Sequence, residues 1–233
     1  MEASPADALG ENWKPLHKAA GVSACAVCVI IPLQIAVFAI WKLPVDIEGW
    51  FALYRASWLL GLVHQDLLYI VNNVLVAVMY LAFYILLKPR HEGPMALAVL
   101  LGFLGISAYL GSNKSFEMLN LSALYYAAGS QAQQASALAA GQAMLAGWQG
   151  TAFDIYYILN GIALVMIASV MRKSTVFSGR TAGAGLVSGV LMMIPSTAGT
   201  PGLVFSLLSL IPWYVFSVLV ARQFFRLSRP GGN

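Results

Sequence analysis

Charge is what this chain has least of. Of its 233 residues, 9% are Asp, Glu, Lys or Arg and 60% are hydrophobic. A soluble domain carries roughly 25% charged residues, so a water-facing globule is excluded as the class. Histidine is scarce too. His17, His64 and His91 are scattered along the chain, and three separated imidazoles do not make the clustered ligands of a zinc site. The two cysteines, Cys25 and Cys28, form a CxxC inside an apolar run. That setting excludes a disulfide framework and favours small packing residues over an accessible redox pair. No GxSxG, Walker A loop or GxGxxG is present, which leaves serine hydrolysis and nucleotide or dinucleotide chemistry without a sequence basis. No lysine lies within an apolar run, which argues against a retinal Schiff base.

Long hydrophobic runs are what the chain has instead. Six can be drawn as membrane spans, at about 19–41, 63–87, 94–111, 151–171, 181–198 and 202–225. Helices satisfy their own backbone groups in lipid and an open sheet cannot, so the predicted fold is all-α. The expectation is one polytopic membrane domain over residues 1–233, with six transmembrane helices and amphipathic extracytoplasmic helices. The first run is not a cleavable signal, because it is too long and no small-residue cleavage site ends it. Val22-Ser23-Ala24-Cys25 is no lipoprotein box either, since its hydrophobic region follows the Cys instead of preceding it.

The few cations orient the spans. Lys14, Lys18, Lys88, Arg90, Arg172, Lys173, Arg180, Arg222, Arg226 and Arg229 fall on one side, leaving Lys42, Arg55 and Lys114 for the other. The positive-inside rule puts both termini in the cytoplasm. A net charge of +4 arranged this way reads as membrane orientation, not nucleic-acid binding. Two outer segments remain. Residues 42–62 mix Trp and Tyr with charges, a composition suited to headgroup depth. Residues 112–150 become Ala- and Gln-rich without Pro, which predicts one or two surface helices.

Asp66-Leu-Leu-Tyr-Ile-Val-Asn72 returns 88 positions later as Asp154-Ile-Tyr-Tyr-Ile-Leu-Asn160. Both copies open a run directed from outside to inside, so a duplication would be parallel. Steps of three place Asp, Tyr and Asn along one slowly drifting helix stripe, and Asn73 extends the first stripe. The candidate ligand-binding set is therefore Asp66, Tyr69, Asn72, Asn73, Asp154, Tyr157 and Asn160. Carboxylates there could instead be helix-end devices, with Thr151-x-x-Asp154 resembling a capping box, and the Asn residues could be interhelical glue. His64 lies two residues from Asp66 and would point to another face of a shared helix.

Gly185-Leu-Val-Ser-Gly189 is a GxxxG that permits close helix approach within the fold or with a partner. The run Pro195-Ser-Thr-Ala-Gly-Thr-Pro-Gly202 predicts a tight turn, and Pro212 predicts a kink in the last span.

The stretch from Asp154 through Ile167, followed by Pro195 to Trp213 and preceded by the Ala/Gln-rich segment, resembles the C-terminal half of a family of bacterial multi-span membrane proteins. That family is catalogued as a domain of unknown function. The resemblance is clearest over residues 112–228. It implies the bacterial cytoplasmic (inner) membrane and carries no assigned activity or catalytic residue.

The leading expectation is a non-enzymatic accessory or assembly subunit of a larger membrane complex. Its partners would be membrane lipid and other integral membrane proteins, with no metal, no cofactor other than bound lipid, and no nucleic acid. The alternatives are a small-molecule or ion transporter or binding protein using the Asp-x-x-Tyr-x-x-Asn stripe, and a membrane enzyme acting on lipids.

Overall fold

A computed structural model describes residues 12–148 and 150–229, with Arg90 described by its backbone alone. All regular structure among the described residues is helical. We number the helices α1 (Lys14–Ile40), α2 (Ile47–Ala56), α3 (Trp58–His64), α4 (Leu67–Ser112), α5 (Ser115–Ala127), α6 (Gln131–Trp148), α7 (Thr151–Met171), α8 (Gly179–Met192) and α9 (Gly199–Leu227). α4 is two helices broken at His91, whose φ of −144° and ψ of 46° lie outside the helical region. Pro89 and Pro94 flank that break, and each removes a backbone donor from its turn.

Five stretches are long and apolar enough to cross a membrane: Lys14–Ile40, Leu67–Pro89, His91–Ala127, Gln131–Met171 and Gly199–Leu227. The fifth predicted span, 181–198, differs. It is the 14-residue α8, which at 1.5 Å per residue extends about 21 Å, short of the roughly 30 Å hydrocarbon core. The second span begins at Leu67 and not near 63, because His64 ends a separate short helix. The outer segment 112–150 folds as the two helices α5 and α6.

The chain packs as two compact units, each described here by itself. The first comprises residues 12–29, 72–106 and 157–229. Its helices meet through small residues and aromatic rings. A Cβ on Gly189 would lie 2.9 Å from the Gly161 carbonyl oxygen, and one on Gly161 would lie 2.9 Å from that of Gly189, so α7 and α8 touch backbone to backbone. Gly185 faces Ala168 and Phe216. The GxxxG therefore serves packing inside the fold. Phe83 is buried among Phe177, Phe216 and Phe224, with ring centroids 5.3–5.9 Å apart.

Pro212 lies within α9 without ending it. The Ser188 hydroxyl donates to the Ser209 carbonyl at 3.1 Å, one turn before the proline. The carbonyl that Pro212 leaves without its helical donor is that of Leu208, so this bond ties α8 to α9 beside the proline instead of replacing the lost one. The turn before α9 uses Gly199 at φ +67°, a conformation that strains any residue with a Cβ.

The second unit comprises residues 30–71 and 107–156. α2 turns Ile47, Trp50, Phe51 and Tyr54 inward at helical spacing, against Leu62, Met118, Ala137 and Trp148. Its N-terminus is capped by Asp46, which accepts from the Gly49 N–H at 2.7 Å. Ser57 ends α2 and caps α3 through its hydroxyl. α6 lies close because it presents Gly141 to Ile47 and Phe51, where any Cβ would clash.

Candidate functional site

The polar groups of the second unit converge on His64, which ends α3, and on Gln65 and Asp66, which join it to α4. A joint between helices leaves backbone groups outside any helical ladder, and buried ones must find partners elsewhere. Here the partners come from every surrounding segment. Gln34 of α1 donates through Nε2 to the Val63 carbonyl at 3.1 Å. The His64 ring is bonded through Nδ1 to the Leu60 carbonyl at 2.9 Å and through Nε2 to the Trp41 carbonyl at 3.0 Å. Asn113 donates to the Gln65 carbonyl at 2.7 Å, and its own side-chain oxygen accepts from the Ser115 hydroxyl at 2.6 Å.

Tyr54 completes the frame from α2. Its hydroxyl lies 2.6 Å from Gln65 Oε1 and 3.0 Å from the Ser115 carbonyl, both acceptors. Burial, together with the charge of Glu117, raises the Tyr54 phenol above its ordinary range, so it remains a neutral donor.

Asp66 is the residue about which this frame closes. Its φ of 68° makes it the one non-glycine residue with positive φ among the described residues. Asp tolerates that region better than most side chains, yet the conformation persists only where surroundings impose it. Asp66 stands at the N-cap position of α4, but its side chain makes no capping bond. Its Oδ2 instead accepts from Trp148 Nε1 at 2.8 Å, across the unit. Asp66 lies just before the span Leu67–Pro89, and burial pushes its pKa up to about 7, against the opposing hydrogen bonds from Trp148 and Tyr109. The chemistry this arrangement offers is the uptake and release of a proton by a buried carboxyl held by the Trp148 indole N–H.

The seven candidate residues divide between the two units. Asp66, Tyr69 and Asp154 belong to the second; Asn72, Asn73, Tyr157 and Asn160 belong to the first. Within the first unit, Asn160 is buried and its Oδ1 accepts from the Tyr80 hydroxyl at 2.8 Å, tying α7 to the first arm of α4. Asn72 and Asn73 are both buried, and the side-chain oxygen of Asn72 has no hydrogen-bond partner.

The two motif copies start their helices differently. Asp66 precedes α4, whereas Asp154 is the fourth residue of α7. The expected capping box is not formed, because Thr151 is already helical and the Gly150 carbonyl accepts from the N–H groups of Phe153 and Asp154. The expectation that His64 shares a helix with Asp66 is likewise corrected, since α3 ends at His64.

The sequence reading missed Gln34, Tyr54, Gln65, Tyr109, Asn113 and Trp148. Gln34 carried a usable signal as an amide within an apolar span; Tyr109 lay near the end of the third predicted span, and the others are ordinary residues of loops and surface helices. Among the described residues no group of three His, Cys, Asp or Glu could hold a metal ion. No protein-family model, curated protein or solved structure matches this chain.

Proposed function

We propose that this is a non-enzymatic integral membrane protein of the bacterial cytoplasmic membrane that acts as an accessory or assembly subunit. One observation carries the reading. Outside its apolar core, the second unit leaves several large apolar side chains exposed: Val45 is 99% exposed, Phe116 60% and Trp58 58%, with Leu59 and Leu124 also exposed. Under the proposed topology, with six crossings and both termini cytoplasmic, this unit lies at the outer face. Apolar side chains there suit a partner protein or the bilayer interface. The six crossings require residues 193–198 to extend α8 across the bilayer. The resemblance of residues 112–228 to a bacterial multi-span family supports the cellular placement.

The test is site-directed crosslinking in native membranes from position 58 or 116, read by mass analysis. The expected result is one stoichiometric membrane-protein adduct from both positions, abolished by Phe116→Glu with the fold retained. Crosslinks to lipid alone would sink the reading. Because Gly185 and Gly189 are spent inside the fold, bulky substitution there tests packing and not a partner.

A second reading, a ligand-binding or transport protein, is favoured by the buried Asp66 carboxyl and the unpartnered Asn72 oxygen. It requires a co-purifying small molecule or ion that is lost in Asp66→Asn.

A further inference from the structure

The first unit contains a cleft of about 200 Å³ where two chain reversals meet. One wall is the break in α4, with Leu87, Pro89 and His91; the other is the link from α7 to α8, with Ser174, Thr175 and Val176. Both walls are held in place. The non-helical backbone at His91 ends the first arm of α4. Phe177, next to Val176, is buried and meets Phe83 at 5.8 Å and Phe224 at 6.2 Å.

The lining is divided in chemistry. Leu87, Pro89 and Val176 are apolar, whereas His91, Ser174 and Thr175 bring an imidazole and two hydroxyls. The segments that form the walls are basic: Lys88, Arg172 and Lys173 stand in them against the single acid Glu92. The cleft also sits at the ends of two apolar helices, Leu67–Pro89 and Thr151–Met171, which is where a lipid changes from tail to headgroup. Its volume exceeds the roughly 30 Å³ of one water several-fold, enough for a phosphate and part of its ester.

We propose that this cleft binds the phosphate-bearing headgroup of an anionic lipid, with the Thr175 hydroxyl and the His91 imidazole facing the phosphodiester and Leu87 and Val176 facing the glycerol and first methylenes; the Ser174 hydroxyl is already given to the Met171 carbonyl at 3.0 Å. Basic pockets between membrane helices suit such headgroups, and each Lys or Arg near an anionic surface contributes about 1 kcal/mol. The proposal does not depend on the accessory-subunit reading.

The test uses the full-length protein in nanodiscs of phosphatidylglycerol mixed with phosphatidylcholine. Native mass spectrometry then reads which lipid stays bound as the disc is stripped. Wild type should retain phosphatidylglycerol preferentially, and Arg172→Gln with Lys173→Gln should cut that preference by about 25-fold, roughly fivefold for each charge. Val176→Trp, which fills the cleft and keeps every charge, should abolish it as well. Equal retention of both lipids by wild type would overturn the proposal. Loss in the charge variant with full retention in Val176→Trp would also overturn it, by showing diffuse surface attraction. Displacement of the lipid by millimolar inorganic phosphate would assign the site to a free anion. Melting midpoints in detergent, unchanged in the charge variant, separate lost binding from lost folding.

Discussion

The two units of this protein solve one problem by different means. In the first unit, long helices satisfy their own backbones, so what remains is to bring smooth surfaces together. Gly161, Gly185 and Gly189 let α7, α8 and α9 approach, and a cluster of Phe rings fills the space between. The second unit contains short helices and the joints between them, where backbone groups have no ladder to enter. Tyr54, Asn113, Gln34 and His64 supply those partners one by one, and Ser122 does the same for the Phe51 carbonyl at 2.8 Å. The first unit relies mainly on close-fitting helix surfaces, and the second adds directed hydrogen bonds at its joints to an apolar core, because helix length decides how many backbone groups need outside help.

That contrast can be broken at its strongest point by Gly189→Leu. The new side chain would meet the Gly161 carbonyl and the backbone of Val165, neither of which can move aside. The expected cost is about 3 kcal/mol or more, seen as loss of folded protein on detergent gel filtration. A monodisperse variant with an unchanged melting midpoint would show that α7 and α8 do not need their backbone contact.

Asp66 gives the next largest effect and sharpens the comparison by pH. Its folded carboxyl holds a proton up to about 7, while in the unfolded chain it loses that proton near its ordinary value of about 4. Between those values the folded state binds more protons, so stability falls as pH rises through the window, by at most about 1.4 kcal/mol per pH unit, and then levels off. Asp66→Asn should remove that slope without moving the backbone, since Asn also tolerates positive φ. Unfolding midpoints at pH 4.5, 6 and 7.5 check this; a slope that survives in the Asn variant belongs to another group.

Tyr54→Phe tests the hydrogen-bonded unit alone. Removing the hydroxyl leaves Gln65 Oε1 and the Ser115 carbonyl short of a donor in a buried setting. A loss of about 2 kcal/mol is expected. It should appear as faster hydrogen exchange in residues 46–66 and 113–127, with residues 157–225 unaffected. Uniform acceleration across both sets would mean that the units unfold as one.

Ser188→Ala should have the smallest effect, about 0.6 kcal/mol, the mean for side-chain hydrogen bonds between membrane helices. A loss of several kcal/mol would show that the Ser209 carbonyl depends on that hydroxyl beside Pro212.

Much of this was legible in the residues themselves. Scarce charge and long apolar runs dictate helices that can cross a membrane, because lipid leaves the backbone no other partner. The spacing of Gly185 and Gly189 announced a close helix contact, and Asp66 stood out as an acid beside a span. What composition cannot carry is which distant group answers which. α8 proved shorter than its apolar run because the turn chemistry of Pro195–Gly202 begins earlier than the loss of hydrophobicity suggests. Trp148 looked like one more aromatic at the end of an Ala-rich helix until the fold brought its N–H to Asp66, 82 residues away. The sequence by itself determined the class, the helical state and the break at Pro89 to Pro94, since these follow from local chemistry and from solvent. Only the tertiary structure decided that Asp66 takes a left-handed turn and accepts from Trp148, and that the two Asp-Tyr-Asn stripes begin differently. Such pairings are set by the joint packing of several helices, and no short window of sequence contains them.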